Sequence, residues 1–223
     1  METTMTKKIG VVLAGCGYLD GAEIHEATLT LLALDRAGVE VISMAPNQPQ
    51  MHVVDHTQSA PVENTERNVL VESSRIARGE IVDIKTVKAD DLDGLILPGG
   101  FGAAKNLSSF AVDGPGMSVN DELSDLIRTM HSQKKPLGFI CIAPVIAAKT
   151  LGELNPKLTI GNDAGTAAAI NALGATHVEC PVDEIITDHD LGIVSTPAYM
   201  IGPSISAVAK GIDKLVEQVL KLA

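Results

Sequence analysis

The 223 residues carry 28 Asp and Glu against 17 Lys and Arg, a formal charge of -11 at pH 7, and no basic cluster exceeds Lys134-Lys135; such a surface excludes nucleic acid and anionic membranes as natural partners. Only Tyr18, Phe101, Phe110, Phe139 and Tyr199 are aromatic, too few to stack bases or sugar rings, so a small polar substrate is expected. The length suits one compact α/β domain over residues 1–223, with enough chain to bury a sizeable core.

Cys16, Cys141 and Cys180 stand at wide, irregular spacing, which gives neither a disulfide framework nor a zinc pattern and points to a reducing compartment. Met1 to Lys8 is polar and lacks the apolar segment of a signal peptide. The apolar run from Leu137 to Ala148 is too short to span a bilayer. A soluble, cytoplasmic protein is expected.

Lys8 to Ala14 is a β-branched run ending in Gly15 and Gly17, and reads as a central parallel strand. Asp20-Gly21-Ala22-Glu23 opens a helix in which Ala27, Leu31 and Leu34 share a face and Gly38 closes the pattern. Glu40 to Ala45 completes a βαβ unit. Asn47 to Pro61 reads as loop, residues from about Glu66 to Ala77 as helix, and Ile81 to Lys85 as a short strand. Asp93 to Pro98 is a buried strand running into Gly99-Gly100, where backbone can approach a ligand closely.

Asp113 to Met117 is a turn-rich insertion. Ser118 with Asp121 has the spacing to cap a helix carrying Leu123, Leu126, Ile127 and Met130. Leu137 to Ile140 is a strand, and the helix after it ends near Gly152. Thr166 to Leu173 reads as an alanine-rich helix and His177 to Cys180 as a strand. Ile185–Thr187 and Ile193–Thr196 form a hairpin about Asp188-His189-Asp190. Ser204 to Leu222 is an amphipathic helix with Ile205, Val208, Ile212, Leu215, Val216 and Val219 on one side. Strands alternating with helices give an open, mostly parallel sheet covered on both faces and joined by right-handed crossovers.

Gly138-Phe139-Ile140-Cys141-Ile142-Ala143-Pro144 is the centre of this pattern. A strand stops at a cysteine, and Pro144 suits the first turn of the next helix. A thiol on such an elbow stands clear of the sheet, beside free helix N–H groups that hold developing negative charge. The helix end should also lower its pKa toward the thiolate. Cys141 could equally be a small buried apolar residue at a strand end. The nucleophile is favoured because the loop into the first helix, Gly99-Gly100 and Cys141 all fall at carboxyl ends of strands, where ligands sit in open α/β sheets.

Glu23 is placed to reach the sheet edge, where burial beside a thiolate would raise its pKa and let it shuttle a proton; it also has capping-box spacing with Asp20. His25 reads as a pocket wall or a surface residue. His177 and Glu179 share a strand face and could pair as base and orienter, or both face solvent. Asp188, His189 and Asp190 are turn residues without metal-binding spacing. Cys16 follows the first strand and could lie near the pocket, and Cys180 looks structural. Gly15-Cys16-Gly17 is no dinucleotide fingerprint, since Asp20 stands where a third glycine belongs, so neither NAD nor FAD is expected.

Several blocks carry a specific likeness that covers essentially the whole chain. They are Gly15-Cys16-Gly17 with Asp20 to Ala27, Thr65 to Leu70, Leu97 to Asn106, Pro136 to Pro144, and Thr196-Pro197-Ala198-Tyr199-Met200. Through them the sequence resembles the ThiJ/PfpI superfamily, related to class I glutamine amidotransferases, and within it the ElbB glyoxalase group, also labelled isoprenoid biosynthesis proteins with an amidotransferase-like domain. The resemblance implies a flavodoxin-like three-layer sandwich with a mostly parallel sheet and a small β-hairpin. It also implies a homodimer.

For the site, it implies Cys141 as nucleophile, Glu23 as the acid beside it, and the backbone N–H groups of Gly100 and Ile142 as anion hole. The implied activity is conversion of a small dicarbonyl, glyoxal or methylglyoxal, to a 2-hydroxy acid without cofactor, metal or glutathione, with possible deglycation of early sugar adducts. The competing expectation is a redox-sensing or partner-binding protein with an oxidisable Cys141. PfpI-type peptidases carry histidine directly after the cysteine, where Ile142 stands here, so a peptidase is not expected. His177 and Glu179 have the spacing of the amidotransferase pair but come too early in the chain, so a glutaminase is not expected.

Overall fold

The computed structural model describes residues 6–223; of the polar N-terminal stretch noted above, residues 1–5 lie outside the described residues. The first half contains β1 (Lys8–Val12), α1 (Ile24–Arg36), β2 (Glu40–Ala45), β3 (Val54–Asp55), β4 (Ala60–Pro61), α2 (Val69–Ile76), β5 (Val82–Asp83) and β6 (Gly94–Leu97). Then come α3 (Phe101–Lys105), α4 (Phe110–Asp113), α5 (Asp121–Ser132), β7 (Leu137–Ile140) and α6 (Pro144–Leu151). The chain ends with β8 (Lys157–Leu158), α7 (Ala164–Ala172), β9 (Thr176–His177), β10 (Ile186–Asp188), β11 (Ile193–Thr196) and α8 (Ile205–Leu222).

One seven-stranded sheet runs β10-β11-β7-β6-β1-β2-β5. All its pairings are parallel except that of β10 with β11, the hairpin expected from sequence. Helices α1 and α8 pack together on one face while α5 and α6 cover the other, which makes a flavodoxin-like three-layer α/β sandwich. Strands β6, β7 and β11 are buried along their whole length, hence their continuous apolar runs without alternation.

Strand order reverses between β1 and β6. The segments leaving β1, β6 and β7 therefore meet above one end of the sheet, and these hold Glu23, Gly99-Gly100 and Cys141. In open α/β sheets that crevice is where ligands bind.

Several boundaries differ from the sequence expectation, each for a local reason. Asn120, not Ser118, caps α5 by accepting from Leu123 N–H at 3.0 Å, because the Ser118 backbone N–H turns back to Ser109 Oγ. The strand expected at His177–Cys180 shrinks to β9, whose only partner is the two-residue β8. The 47–61 loop holds the small antiparallel pair β3–β4. In α8 the stripe from Val208 to Val219 is buried, but Ile205, in the first turn, is 48% exposed.

Leu215 is fully buried where α8 closes the core. Leu215→Ala should cost about 2–5 kcal/mol, read as a lower urea midpoint at unchanged slope.

Candidate active site

The turn after β7 is sharp. Cys141 sits at φ +62, a left-handed conformation that costs a non-glycine residue on the order of 1–3 kcal/mol. It is held there by its N–H donating to Thr196 O of β11 at 3.0 Å, and by Ala143 N–H closing back on Ile140 O. The bulk of Phe139 does not blunt the turn, since its side chain is fully buried in the core below. Beyond the turn the chain enters α6 with Pro144 at its first position, as expected.

The backbone N–H groups of Gly100 and Ile142 lie beside the Cys141 thiol and pull its pKa down. Gly100 has φ +92, and a Cβ there would collide with Glu23 N and Gly21 O. At Gly99 a Cβ would strike both Cys141 Cβ and Glu26 Oε2. These two glycines let the start of α1, the end of β6 and the elbow close on one another.

The carboxyl packed against the sulfur belongs to Glu26, where the sequence expectation had put Glu23. Glu23 is itself the N-cap of α1, its Oε2 accepting from Glu26 N–H at 2.7 Å. Asp20, expected as the capping partner, is instead spent on Val54 N–H of β3 at 2.7 Å. The cap at Glu23 turns the third helical residue inward, so Glu26 is fully buried. Its Oε2 accepts from Gly99 N–H at 2.9 Å and its Oε1 from Tyr199 N–H at 3.1 Å. The Glu-x-x-Glu spacing at the helix start marks two carboxyls on one turn without saying which of them turns inward.

Burial raises the Glu26 pKa to about 8, helped by the Glu23 charge and opposed by the N–H groups of Tyr199 and Gly99 and by the Cys141 thiol. The Cys141 thiol is also raised, first by burial and then by the Glu26 charge, against the pull of the Gly100 and Ile142 N–H groups. The lowered thiol pKa expected from the helix end is thus reversed by desolvation. A protonated Glu26 lifts the electrostatic part of that penalty, so the two groups titrate as a pair.

Cys141 is 7% exposed and opens on a cavity of about 470 Å³. Tyr18, Phe101, Phe110 and Met200 give the cavity apolar walls, while Glu23, Asp163 and Tyr199 supply polar groups. His25, exposed at the start of α1, bonds through Nδ1 to the Tyr199 hydroxyl at 2.8 Å.

The other candidates lie elsewhere. His177 accepts from Ile160 N–H at 3.4 Å and its pKa is lowered by burial; Glu179 is exposed beyond β9, and neither lines the cavity. Asp188 accepts from Lys157 and Leu191 N–H groups as a turn residue. Cys16 faces Glu72 and Arg75, with its thiol raised by burial, and Cys180 is raised to about 11 by burial and the Glu184 charge. Among the described residues, no group of three or more His, Cys, Asp and Glu could hold a metal ion. Nor is any described helix long and apolar enough to cross a membrane.

A sequence model of the DJ-1/PfpI family matches residues 12–196. The human "Glutamine amidotransferase-like class 1 domain-containing protein 3, mitochondrial" is 47% identical, over 96% of this chain and 83% of that protein. The "ES1 protein, mitochondrial" of Danio rerio is 31% identical over 96% of this chain and 85% of its own length. Among solved structures, an isoprenoid biosynthesis protein with amidotransferase-like domain from Ehrlichia chaffeensis superimposes with a TM-score of 0.89 at 37% identity, covering 97% of this chain and all of that one.

The Glu26 pKa predicts how stability varies with pH. A carboxyl raised from 4.5 in the open chain to about 8 when folded contributes its full stability below the lower value and loses it as pH rises through the higher one. In a Cys141→Ala background, which removes the thiol's own titration, Glu26→Gln should therefore gain on its parent by a few kcal/mol between about pH 5 and about pH 9. Parallel denaturation curves at both pH values check this, and a constant difference would place an ordinary, solvated carboxylate at Glu26.

Proposed function

Since the chain belongs to the DJ-1/PfpI family, we propose that it is a cofactor-independent glyoxalase, converting glyoxal or methylglyoxal to glycolate or lactate at Cys141. What carries the reading is a buried carboxyl with pKa about 8 against a thiol on a strained elbow that opens to a cavity. A base poised near neutrality is what proton shuttling between adjacent carbons requires.

Ionised Glu26 takes the thiol proton as sulfur bonds to the aldehyde carbon, then returns it to the resulting alkoxide oxygen. This gives a hemithioacetal, its oxygen facing the N–H groups of Gly100 and Ile142 as anion hole. Glu26 next removes the proton from the carbon bearing sulfur and delivers it to the neighbouring carbonyl carbon, while the hydroxyl proton passes from the first oxygen to the second. The product is a thioester of the 2-hydroxy acid, and water releases the acid and restores the thiol. Glu23, at the cavity wall, acts through its charge on Glu26. Deglycation of early sugar adducts would use the same attack on a masked carbonyl.

The redox-sensor reading draws on the same surroundings, since two N–H groups and a protonated carboxyl would hold the oxygens of a sulfinic acid. The raised Cys141 pKa weighs against it, because oxidation follows thiolate character. Free Cys16, Cys141 and Cys180 fit a reducing interior, the cytoplasm in this reading, and the assembly is taken as a homodimer from the family likeness.

Cys141→Ala should lower glycolate formation from glyoxal at least ~10³-fold, and Glu26→Gln about 10²–10⁴-fold, both with folding intact by circular dichroism. For the wild type, kcat/KM should rise with pH and level off above about 8, as the free Glu26 ionises. Undiminished turnover by Cys141→Ala would end the glyoxalase reading. A wild-type kcat/KM several decades below ~10⁴ M⁻¹s⁻¹, with selective oxidation of Cys141 under mild peroxide, would favour the sensor.

A further inference from the structure

The block Thr196 to Met200 and the residue His25 were singled out in the sequence, yet the reaction above uses only a backbone N–H from Tyr199. Their side chains meet. Tyr199 lines the cavity that Cys141 opens on, and its hydroxyl is 2.8 Å from His25 Nδ1, with the rings tilted at 46°. Both Glu23 and Glu26 act on the phenol electrostatically, and with burial they raise its pKa. The position is built rather than incidental: Ala198, just before it, adopts φ +44, a strained conformation for a residue with a Cβ.

The proposed reaction needs a second base. Glu26 is fully buried and does not line the cavity, so water reaching the acyl carbon arrives from the cavity side, where other groups stand. Of the carboxylates there, Glu23 is turned back onto Glu26 N–H through its Oε2 as the cap of α1. Asp163 caps α7, and its bonds from Thr166 lower its pKa and so its basicity. Tyr199 remains, backed by an exposed imidazole that exchanges protons with solvent.

Resting on the glyoxalase reading, we infer that Tyr199 and His25 form a proton relay that activates the water hydrolysing the Cys141 thioester. As the water oxygen bonds to the acyl carbon, its proton passes to the Tyr199 oxygen while the Tyr199 proton passes to His25 Nδ1. The carbon–sulfur bond then breaks, and sulfur leaves with the electron pair toward the Gly100 and Ile142 N–H groups. The proton held on His25 returns to sulfur through solvent, leaving the free acid, a neutral imidazole and the thiol. Tyr199 is the catalytic residue here and His25 positions and relays.

The test compares wild type, Tyr199→Phe and His25→Gln with glyoxal. Tyr199→Phe keeps the backbone N–H that holds Glu26, and His25 is exposed, so both variants should fold. Turnover should fall about 10–100-fold in each while acylation continues, so that a glyoxal-mass adduct on Cys141 accumulates. After desalting, hydroxylamine should release glycolohydroxamate from it, as it does from a thioester and not from a hemithioacetal. Either variant turning over at the wild-type rate, or losing turnover without a thioester, overturns the relay alone. A wild type that makes no glycolate overturns the relay together with the glyoxalase reading.

Discussion

The contact between the Glu26 carboxyl and the Cys141 thiol is what the crevice is built to hold. A carboxyl removed from water is costly unless each oxygen finds a donor. Its donors come from far apart in the chain: Gly99 at the end of β6 and Tyr199 after β11. The carboxyl itself hangs from α1. One side chain thus ties three segments together around the sulfur, and their placement follows from satisfying it.

That arrangement spends stability at several points at once. Cys141 and Ala198 both adopt positive φ, and Glu26 and Cys141 are buried as titratable groups. Strain and desolvation are concentrated at one sheet end, above a core of fully buried β-strands, which is the physical ground for proposing a functional cluster there. A protein selected for stability alone would place glycine at the elbow and an apolar residue at the third position of α1.

Legibility in the sequence divided along the line between local and distant causes. The elbow could be read because an apolar strand, a cysteine and Pro144 are consecutive, and the buried stripe of α8 because its period is local. The choice between Glu23 and Glu26 could not, since it depends on Asp20 leaving the helix start to accept from Val54 N–H of β3. The same holds for His177: its short strand pairs only with Lys157–Leu158, which keeps it in a separate small sheet away from the sulfur. The reversed shift of the Cys141 thiol was also out of reach, because the helix-end effect is visible in sequence while desolvation is a property of the assembled site.

Ile142 sharpens what chemistry this crevice can perform. Peptidase-type members of the resembling superfamily carry histidine at that place, beside the nucleophile; here the side chain packs against the core and only its N–H serves the sulfur. With no imidazole adjacent, the proposed reaction gives deprotonation of the thiol to Glu26, whose pKa of about 8 suits moving a proton between neighbouring atoms more than expelling an amine. The imidazole that does come near, His25, stands on the other side of Tyr199, out by solvent. In the proposed reaction a carboxyl at the sulfur and an imidazole at the mouth would divide the work between isomerisation within the crevice and water attack from outside it, a division that suits a dicarbonyl substrate and not a peptide.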